Sequence, residues 1–218
     1  MKWQPPDVLH TLMLVKHGHW AVAAALLSAT AFCIALPARA QNLAPLSRPA
    51  AEQLLPQVLS AVSRQPFSTV PFVERRMSAM LVMPLESRGT LTRESSGSIE
   101  KITTTPIRES VVLTAESMTI RAGNGVPKVV RFDAQPDLAA YANGLRAILA
   151  GDAGVLKKSF DVGLSGALNR WEMKLLPTDP GIRRAIRQIV VRGEKGQVRL
   201  IETTQTGGDV NEMTLVAN

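Results

Sequence analysis

Between positions 72 and 91 the chain reads as two strands joined by a short turn at 84–88. Side chains alternate across a strand. One face of the first strand therefore takes Val73, Arg75, Met77, Ala79, Leu81 and Met83, and the other takes Phe72, Glu74, Arg76, Ser78, Met80 and Val82. The first face is wholly apolar beyond Arg75, while the second stays mixed until its end. A sheet with one apolar face needs a cover, made either of protein or of ligand.

The flanking segments supply candidates for that cover. Residues 50–64 place Leu54, Leu55, Val58, Leu59 and Val62 at helical spacing, with Pro49 suited to a first turn and Pro56 able to kink the helix. Short strands are expected at 99–105, 109–113, 117–121 and 127–132, punctuated by Ser96-Gly97 and by the glycine-rich residues 122–125. Residues 135–150 carry Leu138, Tyr141, Ala142, Leu145, Ile148 and Leu149 at intervals of three and four and stop at Gly151, the pattern of a second helix. Asp152 is placed to cap a further helical turn through Lys158. Strands resume at 160–164, 171–175, 185–192, 197–205 and 210–216, with a loop or short helix at 177–183. No helix separates the early strands, which argues for an antiparallel meander. The expected fold is α+β: a single strongly curved antiparallel sheet of ten or eleven strands, an incomplete β-barrel with helices on its concave face.

The first 40 residues change the picture. Lys16, His17 and His19 precede an apolar run at 20–36, and Ala38-Arg39-Ala40 has small residues where a signal peptidase reads. Residues 1–40 are thus expected to be a signal peptide, starting at Met1 or Met13, and residues 41–218 the mature domain. A membrane anchor is the second reading, and Pro37 with the two alanines favours cleavage. Bulky Phe32 before Cys33 speaks against lipid attachment there. All three histidines and the single cysteine precede the expected cut, so the remainder can build no Ser-His-Asp or Cys-His nucleophile and no His or Cys metal site. The expectation is no enzyme, no catalytic residue, no metal and no cofactor. Few aromatics and no phosphate-binding loop exclude a stacking platform for nucleic acid. Cleavage would leave 22 basic and 17 acidic residues, a net charge of +5. That excess suits anionic membrane surfaces or acidic partners, and equally an ordinary solvated surface.

Several motifs in order carry a resemblance: Phe72-Val73-Glu74-Arg75; residues 84–91, with Gly89 and Leu91; Leu149-Ala150-Gly151-Asp152 followed by Phe160; residues 171–177, beginning Trp171-Glu172-Met173; and Gly208-Asp209. Together they resemble the periplasmic outer-membrane lipoprotein carriers, the LolA-like family, and in particular its divergent LolA-related branch. The resemblance implies an unclosed β-barrel with a helical lid over a hydrophobic cavity. It implies a periplasmic chaperone that ferries acylated cargo, lipoprotein or lipid, between inner and outer membrane. Expected partners are an inner-membrane exporter or releasing complex and an outer-membrane acceptor. The divergent branch is linked to export of other lipids, including aryl-polyene-type lipids. One departure matters. In the carriers G-x-L-x-x-x-R-P supplies an arginine that latches the lid, and here Ser95 and Ser96 stand at the Arg and Pro positions.

On this reading the acyl cavity is lined by Met77, Leu81, Met83, Leu91, Met118, Ile120, Trp171, Met173 and Leu175. Leu138, Leu145, Ile148 and Leu149 form the lid, and Glu74, Arg75 and Arg76 form either a mouth that meets head groups or a partner, or an ordinary solvated strand face. Met77, Met80, Met83, Met118, Met173 and Met213 all fall in expected strands, where flexible thioethers suit irregular chains or simply fill a closed core. Trp171 is open to the same two readings, and the helix at 135–150 is either a lid or permanently docked. Asp152 and Asp209 are capping and turn residues. The alternative function is a protein-binding sensor or interaction module of the same fold without lipid cargo.

Overall fold

The computed structural model describes residues 43–66 and 68–216. The expected signal peptide, with Cys33 and the histidines, lies outside the described residues. Helix α1 (Arg48–Ser63) precedes six strands: β1 (Thr69–Met77), β2 (Leu85–Arg93), β3 (Ile99–Thr105), β4 (Glu109–Leu113), β5 (Ser117–Ala122) and β6 (Lys128–Arg131). A 3-10 turn (Phe132–Ala134) leads into α2 (Pro136–Ala150) and α3 (Ala153–Ser159). Then come β7 (Phe160–Ala167), β8 (Arg170–Pro177), α4 (Pro180–Ala185), β9 (Ile186–Glu194), β10 (Gln197–Gln205) and β11 (Val210–Leu215).

All strand pairings are antiparallel, and the eleven strands form one sheet in the order β6-β5-β4-β3-β2-β1-β11-β10-β9-β8-β7. Two meanders thus join where β1 pairs with β11, and the sheet stays open between β6 and β7. The only covalent path between those two edges runs through α2 and α3, which lays these helices across the sheet. The β7 edge is partly covered, since Pro45 bridges Ser165 and the Leu46 amide donates to the Leu164 carbonyl.

The helices end where their residues dictate. Gly151 closes α2 in the left-handed conformation at φ 78°, which a residue without Cβ adopts at no steric cost. Asp152 then accepts a 2.9 Å hydrogen bond from the Val155 amide and starts α3. Helix α1 turns Leu55, Val58, Leu59 and Val62 inward and leaves Pro56 exposed. Those four meet Trp171, Met173 and Leu175 of β8, Ile189 and Val191 of β9, Phe160 and Leu164 of β7, and Ala147 and Ile148 of α2 in one continuous core. Burying each large side chain contributes roughly 1.5–3 kcal/mol.

The hairpin departs from expectation. Strand β1 ends at Met77 and β2 starts at Leu85, so Ala79, Met80, Leu81, Val82 and Met83 form an exposed loop, not strand. Met77 pairs with Val210, the first residue of β11, and beyond it the next chain turns away. A strand lasts only as long as its partner. The faces are also reversed. Phe72, Glu74 and Arg76 sit opposite Leu215, Met213 and Asn211 on the concave side, and Val73, Arg75 and Met77 point outward.

Candidate functional site

The concave face changes character across the sheet. Over β7, β8 and β9 it is apolar and closed by α1 and α2. Over β4, β5 and β6 it is apolar again, with Val111, Met118, Ile120 and Val130 buried alongside Phe132 and the Leu138 and Ala142 of α2. Between these regions a polar cluster interrupts the apolar face beside Phe72 and Leu215, and Glu74 is its hub. Its carboxylate accepts from Lys101 Nζ at 2.6 Å, Asn211 Nδ2 at 2.7 Å and Ser87 Oγ at 3.1 Å. The Lys101 ammonium also stands 5.2 Å from the Phe72 ring centroid. Arg76 reaches Asp209 at 3.1 Å beside this cluster.

Burial on its own would raise the Glu74 carboxyl. The Lys101 charge and the hydrogen bonds from Lys101, Asn211 and Ser87 outweigh it and hold the group below its ordinary range. Glu109, also on the concave face, is pushed up by burial and by the Glu74 charge, against the pull of Lys101. Tyr141 of α2 faces the same cluster. Burial raises its phenol, Glu74 adds to that, and a hydrogen bond with Thr203 opposes it.

The covering helices are held by one strand side chain. Arg93, the last residue of β2, donates to the Leu149 carbonyl of α2 at 2.7 Å, to the Gln65 carbonyl just past α1, and at 3.5 Å to the Val62 and Ser63 carbonyls of α1. These acceptors belong to helix C-terminal turns, where carbonyls lack intrahelical donors and the dipole is negative. Burial lowers the Arg93 pKa from its ordinary value. A second tie joins Arg146 of α2 to the Gly97 carbonyl in the β2–β3 turn at 3.1 Å. The resemblance puts the lid-latching arginine at the position of Ser95, and here the arginine that ties both helices to the sheet stands two residues earlier, at Arg93. Its visible signal was the strand alternation that puts Leu91 and Arg93 on one face. Gly89 is required on that face because a Cβ there would collide with the Ile102 carbonyl.

The residues expected around an acyl chain divide. Met118, Ile120, Trp171, Met173 and Leu175 are concave and buried, and Leu91 is concave and half-buried. Leu81 and Met83 are in the exposed loop, and Met77 is on the outer face, so none of the three lines the concave side. Met80 is likewise in the loop, while Met213 is half-buried on β11. Of the expected lid residues, Leu138 and Ile148 are buried and Leu145 and Leu149 half-buried. The expected mouth separates too. Glu74 is interior and Arg76 is concave, while Arg75 is outward and paired with Glu86 at 3.3 Å. Helix α2 is tightly seated, since a Cβ on Gly144 would collide with the Phe160 ring. A separate cavity of about 560 Å³ lies between α2 and α3, lined by Asn143, Arg146, Asp152 and Lys158 among others. Among the described residues there is no group of His, Cys, Asp and Glu able to hold a metal, and no helix long and apolar enough to cross a membrane.

The family model described as "Outer membrane lipoprotein carrier protein LolA-like" matches residues 48–218. Among solved structures, a LolA superfamily protein from Nitrosomonas europaea aligns at 9% identity and a TM-score of 0.40, over 77% of this chain and 91% of that one. The MucA/MucB complex of Pseudomonas aeruginosa contains a chain that aligns at 14% identity and a TM-score of 0.41, over 76% of this chain and 55% of that one. This chain thus spans about half the length of that relative. LprF from Mycobacterium bovis aligns at 11% identity and a TM-score of 0.36, over 77% and 92%. No protein of curated function matches the sequence.

Proposed function

This chain belongs to the outer membrane lipoprotein carrier protein LolA-like family, and on that premise we propose that it is a periplasmic carrier that shelters the acyl chains of a lipid or lipoprotein between its sheet and its helices. The observation that carries this reading is Arg93. One side chain at a strand end ties the C-termini of both covering helices to the sheet. Releasing those hydrogen bonds frees α1 and α2 together and exposes the apolar concave faces of β4–β6 and β7–β9. On this reading the helices cover the surface that the cargo would take. An acyl chain of about 14 carbons gains on the order of 10 kcal/mol on leaving water, enough to compete with helix side chains for the same surface. No catalytic group enters this scheme. Cargo comes from an inner-membrane complex and passes to an outer-membrane acceptor.

The polar cluster favours a second reading, a protein-binding module. Glu74, Lys101, Asn211 and Thr203 suit hydrogen-bonding to a peptide better than contact with methylenes. One experiment separates the two. Protein purified from expressing cells is extracted and analysed by mass spectrometry, and a fluorescent fatty acid is titrated in parallel. Stoichiometric lipid, or saturable probe binding that tightens in Arg93→Leu, supports the carrier. Neither lipid nor saturable binding in the wild type and in Arg93→Leu leaves the module.

A further inference from the structure

Among the described residues, most of the exposed large apolar side chains lie toward one end of the sheet. In an antiparallel meander the β1–β2, β3–β4 and β5–β6 connections all emerge at one end of the sheet. The first presents Met80, Leu81, Val82 and Met83, the second Ile107 and the third Val126, all exposed, with Met80 at 87% and Met83 at 74%. Residues 79–85 contain no polar side chain at all. The opposite connections, at 94–98 and 114–116, are made of Glu, Ser, Gly, Thr and Ala.

The same end is basic. Arg75, Arg88, Arg108, Arg121 and Lys128 are exposed around the three loops. Arg75 and Arg88 share the single carboxylate of Glu86, and Arg108, Arg121 and Lys128 form no ion pair among the described residues. The apolar tips thus sit on three separate loops among exposed cations. They match an interface with apolar depth and anionic phosphates at its surface.

We propose that this rim docks on an anionic phospholipid bilayer, with residues 80–83 and Val126 entering the interfacial region and the arginines facing phosphates. The rim names where cargo would be exchanged, and in that sense it rests on the carrier reading. Its test uses no cargo, so either can fail alone. The protein is purified as the cell produces it, its N-terminus is determined, and variants with the same N-terminus are compared in flotation with phosphatidylglycerol-containing and pure phosphatidylcholine vesicles. The wild type is expected to float with the anionic vesicles. A Met80→Asp, Val82→Asp, Met83→Asp variant is expected to bind at least about tenfold more weakly, the scale of losing several buried methylenes. Arg108→Glu with Arg121→Glu is expected to lose the preference for anionic lipid. Val216→Asp, at an exposed apolar position on the other end of the sheet, is expected to bind as wild type. Circular dichroism and a cooperative thermal unfolding transition confirm that each variant is folded. Equal binding by the wild type and the triple variant overturns the proposal, as does no binding by the wild type, and either result gives the rim to a protein partner.

Discussion

The guanidinium of Arg93 on β2 donates to the Leu149 carbonyl at the end of α2 across 2.7 Å, and through its other nitrogen to the Gln65 carbonyl beyond α1. Two helices that do not follow one another in the chain therefore share a donor on the sheet. Replacing it leaves half-buried carbonyls without that partner.

Arg93→Leu is expected to cost about 1–3 kcal/mol of stability, the range for leaving buried hydrogen-bonding groups without their partner. The loss should be local. Amide hydrogen exchange is expected to speed up in the last turns of α1 and α2 and to stay slow in β8 and β9. Uniform loss of protection across the sheet would show that Arg93 supports the whole fold and not the helices.

Glu74 and Lys101 make a testable pair. Their side chains are only 12% and 20% exposed, and breaking one partner strands the other. Lys101→Met is expected to destabilise by about 2–4 kcal/mol, toward the lower side of the range for a buried pair because some solvent reaches it. Lys101→Met combined with Glu74→Leu is expected to recover much of that loss. Urea unfolding of the two singles and the double measures the coupling.

The same carboxyl predicts an acid limb. Burial would raise Glu74, yet Lys101, Asn211 and Ser87 hold it below its ordinary value of 4.5. Protons therefore bind it less well in the folded chain than in the unfolded one. Its stabilisation is complete above about pH 4.5 and is lost as pH falls through the lower folded value. Glu109 has the opposite sign. Raised first by burial, it subtracts stability above its folded value and returns it as pH falls. Glu74→Gln is expected to be less stable than wild type near neutrality and to lose less on acidification, which urea midpoints measured as a function of pH would show.

Gly144→Leu is expected to lift α2 from the sheet, because Phe160 already fills the space beside the backbone. The expected loss is about 1–3 kcal/mol, as for overpacking, with faster exchange in α2 than in β7. A variant as stable as wild type, with α2 equally protected, would mean the helix has room to move without cost.

Much of this architecture was legible because its elements bury one regular face. Helix α2 shows it in Leu138, Ala142 and Ile148, and β8 in Trp171, Met173 and Leu175, every second residue. The hairpin was misread for two physical reasons. Residues 79–83 are as apolar as a strand, but β11 offers β1 no partner past Val210, and the segment becomes a loop. The inward face of β1 carries Glu74 and Arg76 because Lys101 and Asn211 bond the first and Asp209 pairs with the second, all of them far along the chain. A local pattern of polarity contains no trace of such partners. Arg93 escaped notice similarly, as an ordinary charged strand residue whose carbonyl acceptors lie 28 or more positions away.

The central claim is that acyl chains enter beneath the helices, and a spin-labelled stearate tests it most directly. In a methyl-resolved NMR titration, the nitroxide is predicted to broaden Met118, Ile120 and Ile148, on the concave side, while leaving Val73 on the outer face sharp. Broadening confined to the loop methyls of Met80, Leu81 and Val82, or no broadening at saturating stearate, would contradict it.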